Sequence, residues 1–423
     1  MADLTLDGEL FGPDSPGYDA ARLPVNAAYH DVRPRLVVRC RSVSDVVKTV
    51  RYASRTGDRV ALRGGGHCFA GRSSTEGILL DLSDLDGISV VGELATIGAG
   101  ALLAEVYSTL HEHGRTLPAG CGPTVGIAGL TLGGGIGLLG RRYGLTCDRL
   151  IGVQVVLADG SVVDCDEDHE PDLFWALRGA GGGQFGVVTV LRFATVPEPL
   201  TTRVEAHWSG AGVDKVVAAW QTWAPDAPDD VTVNLHIASK PGVPMEATLF
   251  GASLPGEGPT RELLESAGLA ESLELRAGLP FHLLKSSFAD PLGLPPVRMR
   301  SEFFSRSLSE RTIESLLGQL GEGGRGIAFT AMGGAYNRVA EDATAFAHRG
   351  ERFLLEHIGD DSWVDESWAT AHVDGSGRVY PNFPDPALAD WASAYHAGNH
   401  PRLVAVKNAY DPDRFFDFVQ GVS

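Results

Sequence analysis

The chain has 423 residues, 43% of them hydrophobic, and a formal net charge of −19. This length predicts two or three domains with ample room for a hydrophobic core. The acidic balance argues against a nucleic-acid-binding protein, which would carry a basic face, and no apolar run reaches the length of a transmembrane helix. No signal segment opens the chain at Met1-Ala2-Asp3-Leu4, so we expect a cytoplasmic protein with neither nucleic-acid nor membrane partners.

The cysteines and histidines do not follow the spacing of a disulfide framework or a metal site. No C-x-x-C or H-E-x-x-H motif occurs, and the number of cysteines is odd. We therefore expect no disulfides and no bound metal. The five cysteines are Cys40, Cys68, Cys121, Cys147 and Cys165.

The first predicted elements form a strand, a helix and a second strand. Leu36-Val37-Val38 is apolar and β-favouring, and apolar residues recur with helical spacing from Val43 to Ala53, where Gly57 ends the helix. Val60-Ala61-Leu62 is the next strand. It leads directly into Arg63-Gly64-Gly65-Gly66-His67.

This glycine-rich stretch is typical of a turn that binds phosphate. Three glycines without side chains allow backbone amides to approach a ligand closely. Arg63 can add a charged donor, and His67 can contact the group attached to the phosphate. The alternative is a simple glycine-rich turn followed by an incidental histidine.

The chain continues with elements of both kinds up to a pair of prolines, Pro197 and Pro199, which indicate a domain boundary. Ala158-Asp159-Gly160 predicts the turn of a β-hairpin, and a proline at residue 171 predicts the start of a short helix. The predicted elements are a strand at 95–97, a helix from Leu102 to His111, a hairpin of Ile151–Leu157 and Ser161–Cys165, a helix at 171–177 and a strand at 187–193.

Two G-x-G-x-x-G patterns, one within residues 133–140 and one at 181–186, do not indicate a Rossmann turn. That motif needs a strand before it and a long helix after it. Arg141-Arg142-Tyr143-Gly144 is too short for the helix, and a strand follows Gly186. Several glycine clusters in one half of the chain still suggest a large phosphate-bearing cofactor.

Beyond the prolines the pattern changes to a mixture of strands and helices. Examples are the strand Val231 to Leu235 and the helices Arg261 to Ala267 and Glu310 to Leu320. We expect a separate α+β domain over roughly residues 200–375.

Motifs spread over nearly the whole chain resemble the berberine bridge enzyme-like flavoproteins of the vanillyl-alcohol oxidase superfamily, in their bacterial form. The first half carries R-G-G-G-H-C-F-A-G at 63–71, P-T-V-G-I-A-G-L-T-L-G-G-G-I-G at 123–137 and Y-G-L-T-C-D at 143–148. Phe174 to Gly179 with Gln184 to Thr189 is similar to W-A-L-R-G-G-G-G-N-F-G-V-V-T. The second half matches at 343–349, at Tyr380-Pro381-Asn382-Phe383 and at 395–412.

This resemblance implies an α+β fold in two functional parts. Residues 1–198 and the returning segment 376–423 would form a PCMH-type FAD-binding domain. Residues 199–375 would form a substrate-binding domain, with an antiparallel sheet backed by helices. The resemblance makes no prediction of the oligomeric state.

The resemblance also implies that FAD is covalently bound through His67. Many relatives attach the flavin a second time, through a cysteine directly before P-T-V. Here Gly122 occupies that position and Cys121 precedes it, which leaves the second bond open, because a shift by one residue reverses the side chain in an extended segment. The implied cofactor-binding residues are Arg63, Gly64, Gly65, Gly66, His67, Cys121, Val125, Gly126, Gly133, Gly183, Gly186, Val188, Tyr380, Asn382 and Asn399.

Tyr380 matches the family's basic tyrosine, so we expect it to be the catalytic base. Because a free tyrosine has a pKa near 10, a nearby cation would have to assist it, and Arg378 and Lys407 are the candidates. Many plant relatives carry a second tyrosine in G-G-G-Y-G, where this chain has Ile136. Val125 lies where relatives approach the oxygen-reacting edge of the flavin, and its small side chain favours an oxidase.

The resulting prediction is an FAD-dependent oxidase of an alcohol, a sugar hemiacetal or a natural-product scaffold, which transfers a hydride to flavin and electrons to O2 to give H2O2. We expect a tailoring role in bacterial secondary metabolism. The alternatives are a flavin-scaffolded cyclase or isomerase without net oxidation, and a non-catalytic small-molecule binding or resistance protein. The candidate substrate contacts are Tyr336, His348 and Arg349.

Overall fold

A computed structural model describes residues 4–210, 212–254, 256–288, 298–321 and 323–423. The opening residues Met1 to Asp3, which we used in the localisation prediction, lie outside the described residues. The strands are β1 Glu9–Phe11, β2 Leu36–Arg39, β3 Val60–Arg63, β4 Ile78–Asp81, β5 Ile88–Val91, β6 Leu94–Gly98, β7 Arg115–Thr116, β8 Leu150–Val156, β9 Val162–Cys165, β10 Val187–Ala194, β11 Val196–Pro197, β12 Leu200–Ser209, β13 Val231–Lys240, β14 Val243–Ser253, β15 Ser272–Pro280, β16 Arg298–Phe304, β17 Arg325–Ala331 and β18 Phe353–Gly359.

Helices connect these strands and cover their faces. They are α1 Tyr18–Arg22, α2 Val43–Thr56, α3 Leu103–Glu112, α4 Ile127–Leu132, α5 Gly140–Tyr143, α6 Pro171–Ala176, α7 Val213–Trp223, α8 Gly258–Ala267, α9 Phe281–Ser287, α10 Glu310–Leu320, α11 Asp361–His372, α12 Trp391–His396 and α13 His400–Tyr410. Short 3-10 turns lie at Ala27–Tyr29, Thr146–Arg149, Ala224–Asp226, Gly334–Asn337 and Ala397–Asn399.

The first part of the chain contains two main sheets. One has the order β1-β2-β4-β3, in which β2, β4 and β3 run parallel, as the predicted strand–helix–strand unit requires. The Ser42 side chain accepts a hydrogen bond from Asp45 N at the start of α2, and Gly57 ends that helix in the left-handed region. The other sheet, β5-β6-β10-β8-β9, is antiparallel.

The second part is a seven-stranded sheet of order β15-β12-β14-β13-β17-β18-β16, in which every strand pair is antiparallel. Along β13, Val233, Leu235 and Ile237 are buried, whereas Asn234 and His236 are only partly buried. The buried face packs against α7, α8, α10 and α11. The other face is therefore left to line a cavity, and the predicted α+β class with a helix-backed antiparallel sheet is confirmed.

The end of the chain returns to the first part. The buried Lys407 on α13 donates hydrogen bonds to Gln184 O at 2.6 Å, Phe416 O at 2.7 Å and the Asp411 carboxylate at 2.7 Å. Strand β12 begins at Leu200, directly after the predicted boundary at residue 198. In the part of the chain that the structure describes, no helix has the length and apolar character needed to cross a bilayer.

The buried Arg141 fastens the two parts together. It lies on α5 in the first part, and its guanidinium donates to Val231 O at 3.0 Å and Pro225 O at 2.7 Å. It also donates to Ala227 O and Met332 O. All four carbonyls belong to the second part, so one charged side chain satisfies main-chain acceptors where the two parts meet.

Candidate functional site

A cavity of about 1490 Å³ lies between the glycine-rich turns of the first part and the uncovered face of the seven-stranded sheet. Pockets for drug-sized ligands typically measure roughly 300–1,000 Å³. The cavity therefore has room for a large cofactor together with a small molecule. We call its two sides the glycine wall, formed by residues 64–67, 121–126 and 181–186, and the sheet wall, formed by β13, β14, β17 and β18.

On the glycine wall, the turn after β3 packs backbone to backbone against residues 122–126. A Cβ on Gly65 would lie 2.3 Å from Gly126 N and 2.6 Å from Thr124 O. A Cβ on Gly126 would in turn lie 2.5 Å from Gly65 N. Glycine at these two positions is therefore required by the close approach of two chain segments, which brings both segments to the cavity.

The second turn of the glycine wall leaves open space in front of it. A Cβ on Gly181, Gly182 or Gly183 would meet no atom closer than 3.8 Å, and all three residues line the cavity. Gly183 has φ +78°, in the left-handed region that favours glycine. Such an open stretch of backbone next to a cavity suits a ligand that must approach main-chain amides closely.

His67 and Cys121 both line this wall. His67 Nε2 lies 2.9 Å from Thr124 Oγ1, which orients the imidazole against the neighbouring turn. Cys121 Sγ accepts a hydrogen bond from Lys285 Nζ at 2.9 Å, and the same ammonium donates to Ala119 O at 3.1 Å. The one-residue shift of the cysteine thus leaves it at the cavity, while a Cβ at Gly122 would lie 2.8 Å from Val125 Cγ2.

Arg63 does not serve as a phosphate donor, which corrects the prediction. Its buried guanidinium points away from the cavity and donates to Ala21 O at 2.8 Å, Arg22 O at 2.6 Å and Ser73 O at 3.1 Å. Its donors are used on main-chain carbonyls. Arg63 therefore holds the loop around Ser73 against the N-terminal segment.

That loop supplies polar groups that sequence reasoning missed. Arg72, Ser73 and Ser74 line the cavity, and the Arg72 Nε and both serine hydroxyls are buried without a hydrogen-bond partner in the described residues. The Arg72 guanidinium lies 4.6 Å from the centroid of the Phe418 ring. Because buried polar groups are almost always paired, these three atoms indicate a ligand rich in acceptor oxygens.

Gly133, in a further glycine cluster, leaves space for the side chain of Asn382 in the C-terminal motif and not for a ligand. A Cβ on Gly133 would lie 2.1 Å from Asn382 Oδ1, and Gly133 does not line the cavity. Asn382 Nδ2 donates to Leu130 O at 2.8 Å and to the Tyr380 hydroxyl at 2.9 Å. Gly133 is therefore corrected from a cofactor contact to a packing position, whereas Asn382 and Tyr380 do line the cavity.

The Tyr380 hydroxyl accepts hydrogen bonds from Gly135 N at 3.0 Å and Ile136 N at 3.3 Å as well as from Asn382. Burial nevertheless raises the pKa of Tyr380 to about 12. Neither of the two expected cations pairs with this hydroxyl in the described part of the chain, since Arg378 pairs with Glu341 at 3.0 Å and Lys407 with Asp411 at 2.7 Å. At neutral pH the Tyr380 phenol therefore keeps its proton.

The sheet wall carries ionisable side chains that sequence reasoning also missed. His236 on β13 pairs in register with Ala328 on β17, and Ala328 pairs with Glu356 on β18. Paired residues point to the same face of a sheet, so His236 and Glu356 flank the small Ala328 there. Both line the cavity, beside the partly buried Asn234 and the apolar Leu354. The available signal was polar residues alternating with buried ones along β13 and β18.

The three predicted substrate contacts do not reach the cavity, which corrects that prediction. Tyr336 donates its hydroxyl hydrogen to Gly137 O at 2.8 Å, and His348 Nε2 lies 3.0 Å from Tyr395 O. Arg349 forms a buried bidentate pair with Asp148, at 2.7 and 2.9 Å. All three are buried and contribute to packing between the two parts.

Asn399 is a structural residue as well, because its Nδ2 donates to Glu341 O at 2.7 Å and Thr344 O at 3.2 Å, away from the cavity lining. The other predicted cofactor contacts do line the cavity. They are Gly64, Gly65, Gly66, His67, Cys121, Val125, Gly126, Gly183, Gly186, Val188, Tyr380 and Asn382.

Comparison with family models identifies two segments of the chain. Residues 34–166 match the model described as FAD binding domain, and residues 379–423 match the one described as berberine and berberine like. The first segment contains residues 64–67 and 121–126 of the glycine wall, and the second lies within the returning C-terminal part.

Relatives match over nearly the whole chain. An uncharacterized FAD-linked oxidoreductase, YgaK, of Bacillus subtilis is 33% identical over 450 residues, which cover 100% of this chain and 98% of YgaK. Berberine bridge enzyme-like 6 of Arabidopsis thaliana is 30% identical, over 91% of this chain and 80% of the relative. The solved structure of Physcomitrella patens BBE-like 1 has a TM-score of 0.91 at 26% identity, over 99% of this chain and 97% of that one.

Proposed function

The chain belongs to the berberine bridge enzyme-like family of FAD-linked oxidoreductases, and we propose that it is an oxidase of a small organic molecule that works with covalently bound FAD. The observation that carries the proposal is the continuous cavity that connects the glycine wall with the ionisable pair His236 and Glu356 on the sheet wall. Bound FAD supplies the acceptor for a substrate hydride and the means to pass its electrons to O2, giving H2O2.

The glycine wall fits this cofactor. The backbone of residues 181–183 and the unpartnered donors of Arg72, Ser73 and Ser74 are suited to hold a pyrophosphate. His67 is the residue that would form the covalent bond, since it lines the cavity and its imidazole is held by Thr124 of the neighbouring segment.

We propose that Cys121 forms a second bond to the flavin. Its thiol lines the cavity, and the Lys285 ammonium lies 2.9 Å from the sulfur. This contact holds the sulfur at the cavity, within the same segment as the glycine-rich turn that faces His67. Two attachment points would fix the cofactor on the glycine wall and leave the sheet wall to the substrate.

Glu356 is the group that we propose removes the substrate proton. It is the carboxylate that the antiparallel sheet contributes to the described cavity lining, and His236 stands two strands away on the same face. A carboxylate is a group able to accept a proton, whereas the raised pKa of Tyr380, about 12, keeps that phenol protonated. Tyr380 would then act as a neutral hydrogen-bonding group beside Asn382.

The lining of the sheet wall indicates the substrate class. Polar residues such as Asn234 and Thr248 alternate with apolar ones such as Phe250 and Leu354. A molecule with a hydroxyl group on a partly apolar frame suits this surface, which fits an alcohol, a sugar hemiacetal or a natural-product scaffold. The small Val125 side chain on the glycine wall leaves access for O2.

A peroxide-coupled screen tests the oxidase. The purified protein with its flavin is mixed with alcohols, sugars and polyketides in air, and H2O2 and product mass are followed. We expect one H2O2 per product, with the product two hydrogens lighter than the substrate. A product of unchanged mass without H2O2 would instead identify a cyclase or isomerase. Saturable binding of a compound without turnover would identify a binding protein.

A further inference from the structure

A cluster of His111, Glu198 and His282 lies outside the cavity, where the two parts of the chain meet. His111 is on the last turn of α3, Glu198 follows β11 and His282 is on the first turn of α9. None of the three lines the cavity. Because they come from three separate elements, no local spacing in the sequence could reveal them.

Three groups able to bind a metal converge in this cluster. Glu198 Oε2 lies 2.6 Å from His111 Nδ1, and Glu198 Oε1 lies 3.1 Å from His282 Nδ1. One ligand atom from each residue lies within 4.8 Å of the others. Ligand atoms around a tetrahedral zinc ion lie about 3.4 Å apart, as bond lengths near 2.1 Å require. Rotation of the two imidazole rings about their side-chain bonds is needed to reach that geometry.

The backbone around the cluster is held in place. Glu198 N donates to Gly114 O at 3.0 Å, directly after α3, and His282 N donates to Glu198 Oε1 at 2.8 Å. The imidazole rings of His111 and His282 are stacked with their centroids 3.6 Å apart. The three side chains are therefore neighbours before any ion binds, and binding would require the two stacked rings to turn apart so that both Nδ1 atoms face one point.

The donor set selects the class of metal. Two imidazoles and one carboxylate suit Zn²⁺ and its neighbours in the transition series, whereas Mg²⁺ and Ca²⁺ prefer oxygen donors alone. The Glu198 side chain is only 7% exposed and that of His282 20%, but that of His111 is 42% exposed. Solvent can therefore supply the fourth ligand of a tetrahedral ion.

We propose that His111, Glu198 and His282 form a binding site for Zn²⁺ that links α3 to α9. The ion would connect an element of the first part with one that packs on the edge of the sheet. Lys285, three residues after His282 on α9, contacts Cys121 on the glycine wall. The site would therefore stabilise the helix that carries the partner of the cavity cysteine.

Metal titration of the intact flavoprotein tests the site. The protein is treated with a chelator, desalted and titrated with Zn²⁺ in competition with a chromophoric chelator, and its melting temperature is measured with and without the ion. We expect one Zn²⁺ per chain and a higher melting temperature. We also expect competition by Ni²⁺ but not by millimolar Mg²⁺.

His111→Ala is the main variant, because this exposed side chain can be removed without disturbing the fold. It should weaken zinc binding at least tenfold and abolish the thermal shift, and Glu198→Gln should do the same. His169→Ala is the matched control, since His169 is an exposed histidine whose Nδ1 lies 2.9 Å from the Asp166 carboxylate, and no second histidine joins this pair within the described ranges. Absence of saturable binding at one ion per chain, or equal affinity in His111→Ala and wild type, would overturn the proposal.

Discussion

On the glycine wall the cavity is shaped by main chain, whereas on the sheet wall it is shaped by side chains. Gly65 and Gly126 approach each other so closely that neither can carry a Cβ. His236 and Glu356, by contrast, stand on a regular antiparallel sheet that imposes no residue type on that face. The difference teaches that cofactor binding constrains the backbone, and therefore the motif, while substrate chemistry depends on exchangeable side chains.

The largest effect is expected on the glycine wall. Gly65→Ala places a methyl group 2.3 Å from Gly126 N, and neither backbone segment can yield cheaply. We expect a loss of about 3 kcal/mol in the free energy of unfolding and loss of most bound flavin, measured by urea titration and flavin absorbance. Gly87→Ala is the control, because a Cβ there meets nothing within 4 Å. Equal free energies of unfolding and equal flavin content in the two variants would show that the close contact between Gly65 and Gly126 contributes to neither.

A change on the sheet wall should remove chemistry and leave the fold intact. Glu356→Gln keeps the shape of the side chain but removes the base. We expect flavin content to be unchanged and anaerobic flavin reduction by substrate to slow by at least about 100-fold. Stopped-flow absorbance measures the rate. A reduction rate equal to that of the wild type would exclude Glu356 from proton removal.

Histidines away from the cavity should affect stability instead of catalysis. Burial lowers the pKa values of His348, His357 and His396 to about 3. In the unfolded chain each imidazole has an ordinary pKa near 6.5 and takes up a proton more readily than in the fold. The contribution of each buried histidine to the free energy of unfolding is therefore fully present above that pH and is lost as the pH falls below it. Each of these histidines should lower the free energy of unfolding by about 1.4 kcal/mol at pH 5.5 relative to pH 7.5.

Urea unfolding at the two pH values checks this expectation. His396→Phe replaces one titrating ring by an apolar ring. The change breaks no hydrogen bond, because neither ring nitrogen of His396 has a hydrogen-bond partner in the described residues. The variant should show a smaller loss of stability on acidification, by the share of one histidine. An unchanged pH dependence would mean that His396 is not neutral in the fold.

The smallest effect is expected for Tyr380→Phe. Because the pKa of Tyr380 is raised to about 12, the variant removes a neutral hydroxyl and the hydrogen bonds that it accepts from Gly135 N, Ile136 N and Asn382, not a base. Flavin reduction should slow by less than about tenfold. A larger loss than in Glu356→Gln would restore Tyr380 as the base.

The sequence predicted the glycine wall well because the constraint there is local. Residues 64–67 lie together in the chain and, except for the missing side chain that the close contact of Gly65 with Gly126 requires, need no distant partner to be recognised. The prediction for Arg63 fails because its partners, the carbonyls of residues 21–23 and 73, lie far from it or outside any local motif in the chain.

The sheet wall was missed for the opposite reason. His236 and Glu356 are brought onto one face only by the register of β13, β17 and β18. Tyr336, His348 and Arg349 were placed at the substrate instead, but their polar groups are engaged in the packing between the two parts. Long-range strand pairing is what a single sequence reveals least.

The attachment of the flavin is the central claim, and peptide mapping tests it most directly. The protein is precipitated with acid and digested, and the flavin-bearing peptides are identified by mass. We predict a yellow pellet with flavin mass on the peptides containing His67 and Cys121, and Lys285→Met should reduce the Cys121 adduct while leaving the His67 adduct. A colourless pellet with all FAD in solution would contradict the account.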